Sequence, residues 1–242
     1  MEQVILNIDL GEGEPHTESV HFIECIDAAN IACGGHAGTQ ESMKICMEAC
    51  LAYQTLPGAH PGLPSHFGRG YALPSGDELY ALLETQWTAL SSIAESLGTS
   101  LHHIKLHGSL YMAVEQSEEL SATYLKFLNT LTPKPVVFAL AEGHFQQIAR
   151  STGITVWGEL FGDRHYEPDG SLRARNQSDA LILDPGIIES RLKHWLSQGA
   201  VQTVDSSWKS LNARTICLHS DTPNALATAR RVQALLAGMR KQ

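Results

Sequence analysis

Short runs of β-branched and other apolar residues alternate along this chain with longer stretches of helical periodicity, and that alternation restricts the fold more than any other feature. The strand-like runs fall at 4–10, 28–33, 55–59, 103–107, 135–139, 154–159 and 214–219. Helical patterns occupy Glu41–Ala52, Ser75–Leu97, Ser117–Leu131, His144–Ser151, Pro185–Gln198 and Thr222–Met239. Strand, helix and strand in succession make a βα unit whose strands pair in parallel. Ser75-Gly-Asp-Glu78 reads as a helix start and Gly98 as a stop, while Asp221-Thr-Pro places Pro223 in the first turn of the last helix. Seven such units in 242 residues, without a composition break, low-complexity segment or internal repeat, predict an α/β fold: one (β/α)-barrel domain over 1–242. A doubly wound open sheet is the alternative.

Side chains on a strand alternate between its two faces. In 4–10, Val4, Leu6, Ile8 and Leu10 share one face and Ile5, Asn7 and Asp9 the other. In 103–107, Ile104 and Leu106 oppose His103, Lys105 and His107; in 215–221, Ile216 and Leu218 oppose Cys217, His219 and Asp221. Each strand therefore offers an apolar face to the helices and a second face that turns polar toward its C-terminal end. Burying Asp, Lys or His without a partner costs on the order of several kcal/mol, so these groups are expected to converge on one another or on a ligand. In a barrel the meeting place is the C-terminal mouth, where active sites are built. Asp9, Glu12, Asn30, His36, His60, Lys105, His107, Glu159, Asp163, Arg164, His219 and Asp221 all follow strands in this way.

Asp9-Leu-Gly-Glu12 sets two carboxylates three residues apart across a glycine turn, where one could hold a proton while the other stays ionised. Cys33-Gly-Gly-His-Ala-Gly38 is a loop in which backbone amides could approach a ligand. Neither GxGxxG nor GxxxxGK[ST] occurs, so the chain carries no recognisable nucleotide loop. His103 and His107 on one strand would lie about 13 Å apart and could not share an ion. HExxH is absent, and a metal would have to be assembled from Asp9, His36, His60 and His107; no firm metal site is assigned. Arg69, Arg164, Arg173 and Arg175 sit in loops, where the planar guanidinium suits a carboxylate, and Asp163-Arg164 reads as a local ion pair.

Seventeen Lys plus Arg against 26 Asp plus Glu give a net charge of −9, which disfavours a general nucleic-acid binder. Five cysteines without a CxxC fit reduced, mostly buried thiols. The N-terminus lacks a leader pattern and no run approaches the roughly 18 apolar residues of a membrane span, so no membrane partner and a cytoplasmic location are expected.

Seven stretches together resemble the LamB/YcsF family. They are Leu6-Asn-Ile-Asp-Leu-Gly-Glu-Gly13, Ala29-Asn-Ile-Ala-Cys-Gly-Gly-His-Ala-Gly38, Gly58-Ala-His-Pro-Gly62, Phe67-Gly-Arg69, Ile104-Lys-Leu-His-Gly-Ser-Leu-Tyr111, Glu159-Leu-Phe-Gly-Asp-Arg-His-Tyr166 and Cys217-Leu-His-Ser-Asp221. The resemblance implies a distorted, seven-stranded (β/α) barrel similar to the polysaccharide-deacetylase superfamily of glycoside hydrolases and deacetylases. It also implies ATP-dependent opening of 5-oxo-L-proline, a lactam, to L-glutamate, with ATP as co-substrate and 5-oxoprolinase subunits B and C as partners. In that frame Asp9, Glu12, His36, His60, Lys105 and His107 are expected to be catalytic. Asp9 or Glu12 would be the base on water, His107 or His36 the acid toward nitrogen, and Lys105 the stabiliser of developing anion. Asn30, Glu159, Asp163, Arg164, Arg175, His219 and Asp221 are expected to bind substrate, Arg164 or Arg175 holding its carboxylate. Departures from the family pattern stand at Gly35, Gly70, Leu106 and Ser220. The alternatives are a metal-dependent amidase or deacetylase acting alone and a non-catalytic lactam- or sugar-binding subunit.

Overall fold

The computed structural model describes residues 3–64 and 73–240. His66, Arg69 and Gly70 lie outside the described residues. The first half runs β1 (Ile5–Leu10), α1 (His16–Ile23), β2 (Ala28–Ala32), α2 (Gln40–Tyr53), β3 (Leu56–His60), α3 (Gly76–Ser96), β4 (His103–Ile104), α4 (Gly108–Gln116) and α5 (Glu118–Thr130). The second half runs β5 (Val136–Leu140), α6 (His144–Ser151), β6 (Val156–Phe161), α7 (Pro185–Gln198), β7 (Ala200–Gln202), β8 (Trp208–Ser210), β9 (Thr215–Leu218) and α8 (Ala225–Met239).

Seven parallel strands close into a barrel in the order β1-β2-β3-β4-β5-β6-β9, with β9 returning to β1. The expected seven-stranded barrel is therefore present, and an open sheet is excluded. Its outer face carries the apolar residues read from strand parity, Leu6, Ile8, Ile104 and Ile216, joined by Ile31, Val137 and Leu160, all buried in the main core under the helices. Each such side chain contributes about 1.5–3 kcal/mol relative to exposure. Helix starts follow their sequence signals. Thr39 and Ser75 cap α2 and α3 in reciprocal capping boxes, and Asp184 caps α7 ahead of Pro185.

Some expectations need correcting. The 103–107 run keeps only His103 and Ile104 in the ladder, although the Lys105 and His107 amides still donate to the Ala59 and Pro61 carbonyls at 2.9 and 2.8 Å. Helix α8 begins at Ala225 rather than Thr222, because Asn224 adopts a left-handed φ of 62° that interrupts helical geometry, leaving Pro223 before the helix. Helices α1 and α4 and the antiparallel β7-β8 ribbon have no counterpart in the sequence reading. No helix among the described residues is long and apolar enough to cross a membrane.

Candidate active site at the barrel mouth

The inward faces of the strands divide the barrel axis into two levels. At the lower end Ile5, Ala28 and Phe138 pack with Leu56, Val136 and Trp157 into a second, smaller apolar cluster. Above it the axis is polar. His103 stacks on Phe138 with centroids 4.1 Å apart, and its Nε2 donates to Asn30 Oδ1 at 2.8 Å. Gly58, in register with His103 on the neighbouring strand, makes this possible, since a Cβ there would lie 2.2 Å from the imidazole. Asn30 Nδ2 donates to Asn7 Oδ1 and Asp9 Oδ1 at 2.7 and 2.8 Å, and Asn7 Nδ2 donates to Glu159 Oε1 and Thr215 Oγ1 at 2.9 and 2.7 Å.

Lys105, 2% exposed, sits at the top of this column. Its Nζ lies 2.8 Å from Asp9 Oδ1, 3.3 Å from Glu159 Oε1 and 3.0 Å from Cys217 Sγ. Burial alone would depress the ammonium, but Asp9 and the neighbouring anionic groups outweigh it and hold Lys105 well above its usual range. Asp9 feels burial in the opposite sense, and His60 and Lys105 hold it well below the ordinary carboxylate range. Burial raises Glu159, only partly offset by Lys105, so the more easily protonated carboxyl is Glu159. Burial keeps His103 neutral.

At the rim above Asp9, four side chains from the ends of β1 to β4 meet. Glu12 Oε1 lies 2.7 Å from His36 Nε2, 3.0 Å from His107 Nδ1 and 3.4 Å from His60 Nε2. His36 and His107 stack nearly parallel, centroids 3.6 Å apart, with His60 edge-on to both. The turn that presents Glu12 is held by Glu14, whose carboxylate accepts from the Gly11 and Glu12 amides at 2.6 and 2.9 Å. Burial opposes ionisation of Glu12, yet the three imidazoles hold it far below its usual range. His60 is pushed up to about 9, the Asp9 and Glu12 carboxylates outweighing burial. His36 is lowered by burial.

The remaining arc of the mouth comes from the segments after β6 and β9. Asp163 accepts from the His219 amide at 2.8 Å and from its Nδ1 at 3.0 Å, which leaves Nε2 of that ring to the cavity. Burial would raise Asp163, but His219 holds it below its usual value. Arg175 lies 3.6 Å from Asp221 at the rim. Arg164 donates to the Arg173 carbonyl, and its Nε has no hydrogen-bond partner among the described residues. His219, Asp221, Arg164 and Arg175, the Glu12 corner, Lys105 and the apolar side chains Leu63, Tyr111, Met112 and Phe161 line one cavity of about 600 Å³.

Of the sequence-derived residues, Asp9, Glu12, His36, His60, Lys105, His107, Arg164, Arg175, His219 and Asp221 all line this cavity. Asn30, Glu159 and Asp163, expected to bind substrate, do not. Asn30 and Glu159 are wholly buried beneath the mouth, and Asp163, 2% exposed, lies behind His219. Asp163 pairs with His219 rather than with Arg164. The Asp9/Glu12 pair does not divide into an acid and a base, because both carboxylates are drawn down by cationic and N–H neighbours. Among possible metal ligands, Glu12 joins His36, His60 and His107 with all four donor atoms within 4.8 Å, whereas Asp9 Oδ1 is committed to Lys105 and Asn30. The Gly34 amide donates to the Ala37 carbonyl at 2.7 Å and is not offered to a ligand.

Sequence reasoning missed Asn7, Glu14, Tyr111 and Phe161. Asn7 was on the polar face by parity and could have been found that way; Glu14 gives no signal beyond its place in the Gly-Glu-Gly-Glu turn. Gln86 was also missed. From α3 it spans the Gly62 backbone, accepting from its amide at 3.0 Å and donating to its carbonyl at 2.8 Å. A Cβ at Gly35 would fall 2.4 Å from that amide group, so the glycine and Gln86 form one packing unit beside His36.

The chain is similar over 98% of its length, and over 97% of the other, to the lactam utilization protein from Thermus thermophilus, at 30% identity and a TM-score of 0.88. It shares the barrel fold alone with a GH30 endoxylanase from Clostridium papyrosolvens, at 12% identity, TM-score 0.51 and coverage of 98% and 71% of the two chains. A truncated 3-deoxy-D-arabino-heptulosonate 7-phosphate synthase from Thermotoga maritima is likewise similar in fold, at 12% identity, TM-score 0.50 and coverage of 99% and 86%. The model of the LamB/YcsF family matches residues 4–242, and the chain belongs to that family.

Proposed function

We propose that this chain acts in lactam utilization, as the ring-opening component of an ATP-dependent 5-oxoprolinase that converts 5-oxo-L-proline to L-glutamate with partner subunits B and C. Kinship with the T. thermophilus lactam utilization protein supports the substrate class. The observation that carries the reading is the single cavity in which a carboxylate–imidazole corner, an oriented histidine and two arginines converge.

A five-membered lactam is an unreactive amide, and opening it needs carbonyl activation, a positioned water and a proton for the leaving nitrogen. ATP, bound by or with the partner subunits, supplies the activation by phosphorylating the carbonyl oxygen. Water then adds to the activated carbon, the C–N bond breaks with a proton delivered to nitrogen, and γ-glutamyl phosphate forms. A second water releases phosphate and leaves glutamate.

The Glu12 corner, lying at the cavity edge, takes the proton from the attacking water. His219 is suited to protonate nitrogen: Asp163 fixes its Nδ1, leaving Nε2 as the exchangeable site. This role replaces the expected assignment to His36 or His107, whose facing nitrogens are already committed to Glu12. The buried Lys105 charge lies under the reacting carbonyl as a fixed field for developing anion. Asp9 is the counter-ion that keeps that charge in place. Arg164 and Arg175 hold the substrate carboxylate.

The test is to combine the chain with subunits B and C and follow glutamate release from 5-oxo-L-proline with and without ATP. ATP-dependent release is expected, reduced roughly 10²–10⁴-fold by His219→Ala. Undiminished release by both His219→Ala and Glu12→Gln would overturn the assignment. Turnover by the chain alone, without ATP, would identify a stand-alone amidase instead.

A further inference from the structure

The hydrogen bonding of His60 fixes its tautomer and turns its second nitrogen toward several ligating atoms. Its Nδ1 lies 2.8 Å from the Lys105 carbonyl oxygen, which can only accept, so Nδ1 carries the hydrogen. The neutral ring then presents Nε2 as a bare lone pair. That lone pair faces Asp9 Oδ2 at 3.3 Å, Glu12 Oε1 at 3.4 Å and His107 Nδ1 at 3.1 Å. Protons on the imidazoles can join these atoms only pair by pair. A proton on Nε2 can serve one of them well, whereas a metal ion serves several.

We propose that Glu12 Oε1, His36 Nε2, His60 Nε2 and His107 Nδ1 form a binding site for one divalent transition-metal ion, of the zinc class. Donors about 2.1 Å from a tetrahedral ion lie about 3.4 Å from one another. Four of the donor pairs here are 2.7, 3.0, 3.1 and 3.4 Å apart, and the whole set fits within 4.8 Å. Three imidazole nitrogens and one carboxylate oxygen are a donor set for borderline cations rather than for magnesium or calcium. The Nδ1–H of His60 donates to a main-chain carbonyl, the arrangement that fixes a ligating histidine in its required tautomer.

Glu12 and His107 remain partly exposed, with 26% and 33% of their side chains accessible, so an ion there would face the cavity and have room for a water. Lowering the pKa of that water is the role the site would have in ring opening, and only this role rests on the function proposed above.

The test uses the full chain, stripped with a chelator and titrated with Zn²⁺ by calorimetry, and separately with Co²⁺ by visible absorption. One equivalent per chain is expected, with intense tetrahedral Co²⁺ bands and a higher melting temperature. Glu12→Gln and His36→Ala should weaken binding by more than the roughly 10–100-fold typical of losing a supporting contact. His107→Ala provides the same comparison at a more exposed position, should His36→Ala melt below the assay temperature. His194→Ala, where the ring stacks on Trp208 outside the mouth, should bind as the parent chain does. Absence of stoichiometric binding, or parent-like affinity in both His36→Ala and His107→Ala, overturns the site and leaves a proton on His60 as the positive charge. Binding is read without lactam, ATP or partner subunits, so a failed ring-opening assay leaves this result standing, and the converse also holds.

Discussion

The polar column inside the barrel and the polar corner at its rim are built from the same residue types and behave in opposite ways. In the column, Asn7, Asn30, His103, Lys105 and Asp9 hydrogen-bond to one another and are almost inaccessible. In the corner, three imidazoles converge on a single oxygen of a partly exposed glutamate. Mutual satisfaction fixes geometry, and unsatisfied convergence leaves groups available to a proton, an ion or a substrate. Change in the column should therefore register in stability and activity together, and change in the corner mostly in activity.

The largest effect should come from Lys105→Met. It removes the buried ammonium that Asp9 and Glu159 share, and removing one partner of a buried pair typically costs about 3–5 kcal/mol. Denaturant unfolding should show a much lower midpoint with turnover lost; an unchanged midpoint would break the distinction at once. His107→Ala should do the reverse, cutting kcat by roughly 10²-fold or more while shifting stability by no more than about 1 kcal/mol, the usual limit for a partly exposed pair. Equal losses in both measurements would show that corner and column are one unit.

Gly58→Ala tests the column without touching a polar group. The added methyl would press on the His103 ring, 2.2 Å away, and overpacking of this kind costs about 1–3 kcal/mol. A lower melting temperature is expected, and a neutral outcome would mean that His103 can move aside.

The smallest effect concerns pH. Asp163, held below its ordinary value of 3.8 by His219, binds fewer protons when folded than when unfolded. Its stabilisation is complete above the unfolded value and is lost as pH falls through the lower folded one. The stability gap between the parent and Asp163→Asn should thus be level near neutrality and close below about pH 4. A gap that widened on acidification would contradict the Asp163–His219 pairing.

Strand parity made most of the barrel legible. Lys105 and His107 do face the cavity, as alternation required, even though regular pairing stops at Ile104, because the alternate amides keep bonding to Ala59 and Pro61. What the sequence concealed was depth. Alternation tells which face Asn30 and Glu159 occupy, but not that a floor of packed rings and a lysine above would seal them away from solvent. It was equally silent on pairing: Asp163 meets a residue 56 positions away in place of its chain neighbour. Helices α1 and α4 are short, eight and nine residues, and each begins without a side-chain cap, so neither length nor a start signal marks them.

The apolar packing of Ile5, Ala28 and Phe138 gives this barrel a bottom as well as a mouth. Whatever enters must leave by the same door. If the chain opens 5-oxo-L-proline as proposed, product and incoming lactam share one site behind one opening, and glutamate should inhibit competitively against the lactam. On the same proposal, a partner handing over an activated ring would have to dock across the C-terminal rim, where its seat would decide how fast the product escapes.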